Sequence, residues 1–338
     1  MAFPTDQTVS RLGQQNATGD ARALFLKLYA GEVLTAFEEK NIFMPLHRTR
    51  SISNGKSAQF PLTGAATAKY HTAGQLIQGD AIKHGERTVT VDDLLISAQF
   101  VANIDEAMNH YDVRSIYSKE AGFALSNTAD KNIARVIAKA AGINNATEAA
   151  AAFGTAFDEE VYTNNITIGS SASDATNGGK IAQSIYDALK EFDSKDITGE
   201  KVCVLPPEQY YALFGADSSV NNLAYMNKDV GGSGSIATGA APTIGGVKIL
   251  MSNHIPTTDE SGTANPPSGV TNSGAYNADY SSLRGLIFTQ DAAATVKLLD
   301  LGVESEYQID RQGTLMVAKY AMGHNVLRPA CAIQLLSA

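Results

Sequence analysis

Residues 112 to 142 read DVRSIYSKEAGFALSNTADKNIARVIAKAAG, and they carry the strongest helical pattern in the chain. Apolar and small residues recur at helical spacing on one face. They are Val113, Ile116 or Tyr117, Ala121, Ala124, Leu125, Thr128, Ile133, Val136, Ile137 and Ala140. Asp112 is a suitable N-cap, and Lys139 with Gly142 provides a C-terminal stop. At about 1.5 Å per residue the helix is about 45 Å long. We therefore predict a strut that packs against a sheet.

Upstream of this helix, residues 46 to 91 carry short alternating stretches at both ends, RSIS at 50 to 53 and RTVTV at 87 to 91. This pattern predicts a long two-stranded hairpin. About 20 residues per strand at roughly 3.3 Å each give an arm on the order of 65 Å, which exceeds the about 20 Å radius of gyration expected for the body. Because an isolated hairpin is only marginally stable in water, we expect the arm to need a neighbour.

The predicted arm is basic, whereas the chain as a whole is acidic. Its basic residues are Arg48, Arg50, Lys56, Lys69, Lys83 and Arg87. Set against Asp80 and Glu86, they give the arm a net charge of +4, so the chain's −9 leaves −13 for the remainder. Complementary charge of this kind favours docking of the arm on an adjacent copy of the same protein. A solvated hairpin, whose lysines only keep its edges from pairing, explains the charge equally well.

Composition excludes several classes of protein. With 338 residues, 44% hydrophobic and 18% charged, the chain is not disordered as a whole. Its length corresponds to roughly two domains, or to one core with a large excursion. The net charge of −9 argues against tight binding of nucleic acid. We find neither a secretory signal pattern nor an apolar run of about 18 residues, so we expect synthesis in a cytoplasm and no membrane partner.

The remaining pattern is α/β in the middle of the chain. We expect a loose N-terminal arm over residues 1 to 20 and an amphipathic helix over 21 to 40. The predicted α/β elements are a helix at 180 to 193, a strand at 201 to 205, a helix from Pro206-Pro207 through Phe214 and a strand at 247 to 251. Loops rich in Gly, Ser and Asn are predicted at 142 to 180, 231 to 235 and 256 to 282.

The last part of the chain is predicted to be β. The strand candidates are GLIF at 285 to 288, TVKLL at 295 to 299, VESEYQI at 303 to 309 and a pair hinged near Arg328-Pro329. These strands are expected to complete the domain that the earlier part of the chain begins. The two ends of the chain would then share one domain.

Motifs for catalysis and cofactor binding are weak. The run NGKS at 54 to 57 resembles the end of a phosphate-binding loop, but Arg50 stands where the first glycine is required. The six histidines have no metal-ligand spacing, and Cys203 and Cys331 are expected to be buried thiols. We therefore predict no enzyme, no cofactor, and no catalytic or metal site. A hydrolase within residues 180 to 284, using His254 or Glu208, remains a separate hypothesis.

Four long strings, in order along the chain, resemble the major capsid proteins of short-tailed, T-seven-like podoviruses (Autographiviridae). They are ALFLKLYAGEVLTAF (23 to 37), RSISNGKSAQFP (50 to 61), DEAMNHYDVRS (105 to 115) and VAKYAMGHNVLRPA (317 to 330). They span nearly the whole chain, so the resemblance is specific. It implies an α+β fold of the Hong-Kong-97 capsid type.

The resemblance also implies how the chain is divided. The expected parts are an N-terminal arm and helix (1 to 45), an extended β-hairpin loop (46 to 95), a peripheral domain with a long spine helix (96 to 142 and 285 to 338) and an axial α/β domain (143 to 284). The extended loop would lie over a neighbouring subunit, so its six basic residues become candidates for inter-subunit contact. Axial domains would meet at the centre of each capsomer.

In function, the resemblance implies the major head protein of a tailed double-stranded DNA bacteriophage. Copies would self-assemble through hexamers and pentamers into an icosahedral shell of triangulation number seven. A scaffolding protein, a portal or connector at one vertex and packaged DNA, contained rather than specifically bound, are the expected partners. The expected location is the virion, with assembly in the host bacterial cytoplasm. The alternative is an encapsulin-like cellular compartment shell, and the cargo would separate the two.

Overall fold

A computed structural model describes residues 41–63, 68–77, 79, 82, 84–104, 113–143, 164–213, 243–261 and 274–338. The predicted helix over 21 to 40 and the glycine-rich loop at 231 to 235 lie outside these residues. The strands are β1 (Arg48–Ser51), β2 (Ser57–Thr63), β3 (His84–Thr90), β4 (Leu95–Ala102), β5 (Asn165–Ile168), β6 (Val202–Leu205), β7 (Lys248–Met251), β8 (Leu283–Phe288), β9 (Ala293–Gln308), β10 (Gly313–Val326) and β11 (Ala332–Ser337). The helices are α1 (Val113–Gly142), α2 (Gly178–Ser194) and α3 (Pro207–Ala212).

The long helix is confirmed. α1 has 30 residues, about 45 Å at about 1.5 Å per residue. Its buried face includes Leu125, Ile133 and Ile137. The first of these packs under the sheet residues Tyr320 and Met322 of β10. The α+β class is therefore correct, and the strut lies where the helical pattern predicted it.

A four-stranded sheet with the order β1-β9-β10-β4 covers α1. Two separate strands were predicted at 295 to 299 and 303 to 309, but one continuous strand of 16 residues, β9, contains both. The residues between them shift the register against β10, between Lys319 and Ala321, instead of forming a turn. This is the behaviour of a β-bulge, in which an extra residue is accommodated without ending the strand.

The hairpin is formed by β2 and β3, which pair in antiparallel fashion from Ser57↔Thr90 to Thr63↔His84. Its seven residues per strand span about 23 Å, and part of the segment beyond them lies outside the described residues. The predicted first strand at 50 to 53 is placed differently, because β1 pairs in parallel with β9. Gly55, with a φ of 103°, turns the chain between β1 and β2.

The second sheet has five strands in the order β5-β11-β8-β6-β7. α2 packs on one face of this sheet through Ile181, Ile185 and Phe192, and α1 lies over the other face. The strands at 201 to 205 and 247 to 251 and the helices at 180 to 193 and from Pro207 are confirmed within one or two residues. Asn177 caps α2, accepting hydrogen bonds from the backbone N–H groups of Gly179 and Lys180.

The C-terminal strand joins early and late parts of the chain. β11 lies between β5 and β8, so the predicted boundary near residue 285 crosses a continuous sheet. We keep the four-part division as a proposal. Cys203 and Cys331 are buried and are not joined by a disulfide, as predicted. Among the helices of the described residues, none is long and apolar enough to cross a membrane.

Candidate functional site

Among the basic arm residues, Arg48, Arg50 and Arg87 make defined contacts within their own chain. Arg48 forms an ion pair with Asp291. The Nη1 of Arg50 donates to the Gln59 carbonyl at 3.0 Å, and the guanidinium lies 5.9 Å from the centre of the Phe60 ring. These contacts connect β1 to the turn after β8 and to the hairpin, so both side chains are positioned by their own subunit.

Arg87 of β3 holds the hairpin against the end of β10. Its Nε donates to the Val326 carbonyl at 3.0 Å, and its Nη2 donates to Asn325 Oδ1 at 3.2 Å. Burial lowers the pKa of this guanidinium, although it remains charged at any physiological pH. Lys56 and Lys69 are exposed, and Lys83 lies outside the described residues. That all six contact a neighbouring subunit stays a prediction.

The base of the hairpin packs tightly on the body. Ala58 and Val89 share an apolar cluster with Val296 of β9. Where β3 ends, the backbone runs directly against β10, since a Cβ built on Gly323 would lie 1.9 Å from the Thr90 carbonyl oxygen. Only glycine permits this approach, so the base of the hairpin is held in a fixed position against β10.

A buried network of hydrogen bonds lies at the base of the hairpin. Thr295 Oγ1 of β9 lies 2.5 Å from His47 Nε2 and 2.7 Å from His324 Nδ1. His47 Nδ1 lies 2.8 Å from the Phe43 carbonyl, which can only accept, so this nitrogen carries the proton. In the neutral state the Thr295 hydroxyl therefore donates to His47 Nε2 and accepts from His324 Nδ1–H.

Burial keeps both of these histidines neutral. It lowers the pKa of His47 below its usual value. It lowers the pKa of His324 to about 3, and nearby His47 and Lys297 contribute in the same direction. A proton on His47 Nε2 would also leave the Thr295 hydroxyl facing two donors, and its own hydrogen would lose its acceptor.

The same hydrogen-bond network extends to Asp92, which follows the second strand of the hairpin. Tyr276 donates its hydroxyl hydrogen to Asp92 Oδ2 at 2.8 Å and accepts from the His324 backbone N–H at 3.2 Å. Burial raises the pKa of Tyr276, and the Asp92 carboxylate raises it further. His47 precedes β1 and Asp92 follows β3, so one buried network holds the chain on both sides of the hairpin.

A second buried group holds the segment that leads into β1. The Asp130 carboxylate accepts hydrogen bonds from the backbone N–H of Ile42 at 3.2 Å and of Phe43 at 2.9 Å. Its Oδ2 also lies 2.7 Å from His254 Nδ1, and both side chains are about 1% exposed. Asp130 therefore links α1, the loop after β7 and the segment just after residue 40.

Ser252 does not complete a hydrolase triad with this pair, and the hydrolase considered for His254 stays a hypothesis. An imidazole held by a carboxylate is part of the serine-hydrolase arrangement, and Ser252 is close by. However, Ser252 Oγ accepts from the backbone N–H of His254, not from its ring, and both residues are buried. Glu208 lines a surface cleft together with Ser252 and Arg284. Within the described residues no group of three His, Cys, Asp or Glu side chains is placed to hold a metal ion.

Sequence reasoning missed both buried networks. It established that the histidines lack metal-ligand spacing, and it considered His254 only for a hydrolase. Two signals were available: Asp130 stands three residues before Ile133, on the apolar face of α1, and His324 lies between apolar positions of a strand. His71 and His84 are exposed, as expected for surface residues, and His110 lies outside the described residues.

Comparison with known proteins finds relatives that match most of the chain. Residues 59–336 match the family model described as Gp10A-like major capsid protein. The major capsid protein of Escherichia phage T7 is 33% identical over 94% of this chain and 92% of its own length. That of Enterobacteria phage T3 is 30% identical over 95% of this chain and 93% of its own.

Solved structures of phage capsids also resemble this chain. A capsid chain of cyanophage P-SCSP1u is 39% identical, with a TM-score of 0.79 over 98% of this chain and 99% of that one. The mature capsid chain of bacteriophage PhiM1 has a TM-score of 0.70 at 17% identity, over 100% of this chain and 99% of its own, which shows the shared fold. The chain therefore belongs to the Gp10A-like family of phage major capsid proteins.

Proposed function

We propose that copies of this chain form hexamers and pentamers that close into an icosahedral shell of triangulation number seven around double-stranded DNA. The observation that carries the proposal is the match over nearly the whole of both chains to a subunit of the cyanophage P-SCSP1u capsid. The hairpin supports it, because its root is fixed by Gly323 and Arg87 while residues 68–77, beyond β2, are exposed. In the shell, a neighbouring subunit would cover this exposed part of the hairpin.

The other partners follow from this role. A scaffolding protein would guide closure, and a portal would replace one capsomer at a single vertex. The net charge of −9 suits a wall that contains DNA without gripping it, since phosphate binding requires clustered cations. The role needs neither a catalytic group nor a cofactor. Assembly would take place in the host bacterial cytoplasm, and the product would be the virion shell.

Mass measurement of the expressed protein tests this proposal. The chain is coexpressed with the scaffolding protein of its phage, and light scattering with negative-stain imaging follows. Closed megadalton particles are expected, and DNA is the cargo expected after packaging. Particles that enclose an enzyme would instead support the compartment-shell alternative. A species that stays at the 35.7 kDa of one chain in the presence of the scaffold would refute the proposal.

Charge reversal tests the role of the basic arm. Changing the exposed Lys56 and Lys69 to Glu is expected to leave the subunit folded but to reduce shell yield severalfold, because the arm would be repelled by the acidic body. A matched control reverses the exposed lysines Lys119 and Lys180, which changes the net charge equally. Wild-type yield from the arm variant, or equal loss from the control, would contradict an electrostatic role for the arm.

A further inference from the structure

The two feet of the hairpin are joined by hydrogen bonds that pass under the four-stranded sheet. We call these bonds the strap, and its members in order are His47, Thr295, His324, Tyr276 and Asp92. His47 lies just before β1, and Asp92 lies between β3 and β4. The hairpin base packs on Val296, whose side chain points to the opposite face of the sheet from its neighbour Thr295. The strap therefore ties both feet separately from the packing of the hairpin itself.

The strap has no place for an added proton. His47 Nδ1 donates to the Phe43 carbonyl, so Nε2 of the neutral ring can only accept. The Thr295 hydroxyl, which is fully buried, donates to that nitrogen and accepts from His324 Nδ1. A proton on His47 Nε2 would leave the hydroxyl hydrogen of Thr295 buried without its acceptor, which is costly. Protonated His47 therefore fits better outside the strap than within it.

The surroundings of the two histidine rings also disfavour a positive charge. Burial has the largest influence and lowers the pKa of both rings, and Lys297 of β9 acts in the same direction. Asp130 of α1 favours a proton on His47, but its carboxylate is shared with His254 and two backbone N–H groups. The other titratable groups along the strap are Asp92, Tyr276 and Tyr320, and burial raises the pKa of both tyrosines, which stay neutral.

The strand that follows His47 is the least buried strand of its sheet. All four residues of β1 are exposed, and within the described sheet β1 is an edge strand beside β9. The ion pair between Arg48 and Asp291, which also holds it, is partly exposed. An exposed edge with few buried contacts opens at a low free-energy cost. His47, only 3% exposed, is thus the buried anchor of a weakly held strand.

We propose that the strap is a pH-sensitive latch: when His47 takes up a proton, it leaves Thr295, β1 separates from β9, and the first foot of the hairpin is released while the rest of the subunit stays folded. At neutral pH the latch is closed, because the neutral ring accepts the Thr295 hydrogen. Once His47 has left, His324 faces the vacated space and can be protonated in turn. The latch goes beyond the proposed shell function, since it concerns how the hairpin moves on its own subunit.

Hydrogen exchange of the unassembled subunit at pH 7 and pH 5 tests the latch. The reporter is the amide of Ile52, which donates to the Lys297 carbonyl at the end of β1. After correction for intrinsic exchange, its opening should increase about 25-fold at pH 5, because a detached histidine with the ordinary pKa of 6.5 is mostly neutral at pH 7 and mostly charged at pH 5. Urea below the unfolding transition should speed exchange in the central strands β6 and β8 but leave Ile52 unchanged.

Two variants assign the effect to one residue. His47→Asn keeps an N–H donor for the Phe43 carbonyl but cannot titrate, so its corrected exchange at Ile52 should be equal at both pH values. His84→Asn, which changes an exposed histidine, should behave as wild type. Unchanged opening of the wild-type Ile52 amide at pH 5, or the same increase in His47→Asn, would overturn the latch. Equal urea dependence at Ile52 and in β6 would also overturn it, since β1 would then open only when the whole subunit unfolds; this comparison needs only the wild-type chain.

Discussion

Acidification should destabilise the free subunit through the buried His324. Its pKa is about 3 in the folded protein, against an ordinary value of 6.5, so below pH 6.5 the unfolded chain binds a proton that the folded chain excludes. The contribution of neutral His324 to the free energy of unfolding is therefore fully present above pH 6.5 and is lost as the pH falls toward 3. Between pH 7 and pH 5 this amounts to about 2 kcal/mol for His324 alone. His47, whose pKa is also lowered by burial, adds to the loss.

Urea unfolding of the unassembled subunit at pH 7 and pH 5 measures this effect. The variant His324→Asn keeps an N–H donor near the position of Nδ1 but cannot titrate, so its loss of stability between the two pH values should be about 2 kcal/mol smaller than that of wild type. The control, His84→Asn, changes an exposed histidine of β3 and should leave the pH dependence unaltered. An unchanged pH dependence in His324→Asn would refute the assignment of His324 as a buried neutral group.

Two further substitutions test how the hairpin and its entry are anchored. Gly323→Ala should destabilise the subunit by about 1 to 3 kcal/mol, because its Cβ would lie 1.9 Å from the Thr90 carbonyl; Gly302→Ala, whose Cβ meets nothing closer than 3.9 Å, should be nearly neutral in the same urea experiment. Asp130→Asn should cost about 3 kcal/mol and speed hydrogen exchange at the Ile42 and Phe43 amides, whereas the exposed Asp187→Asn should do neither; unaltered exchange at those amides would show that the carboxylate does not hold this segment.

Local patterns predicted the elements whose structure depends on nearby residues. α1 could be placed because its apolar spacing and both of its ends lie within one continuous stretch. The strands β6 and β7 and the helices α2 and α3 were found for the same reason, since short apolar runs and the Pro start of α3 are local signals. The pairing of β1 could not be predicted from nearby residues. The sequence at 50 to 53 alternates as a hairpin strand would, but Arg50 and Ser51 belong to β1, whose partner is β9, over 240 residues later.

The functional surfaces were harder to predict, for a related reason. His47 and Thr295 are 248 residues apart in sequence yet share a hydrogen bond, and no spacing rule connects them. The basic residues of the hairpin were recognised from charge alone, but charge does not show that Arg87 turns inward to β10. The exposure of Leu76 and Ile77 could be found only from the structure, because apolar residues in a sequence look like core residues.

Cryo-electron microscopy of assembled particles tests the central claim most directly. The account predicts a closed icosahedral shell in which the hairpin of β2 and β3 of every subunit crosses a subunit boundary and contacts the next copy. A shell in which each hairpin folds back on its own α1, or an assembly with no closed lattice, would contradict it.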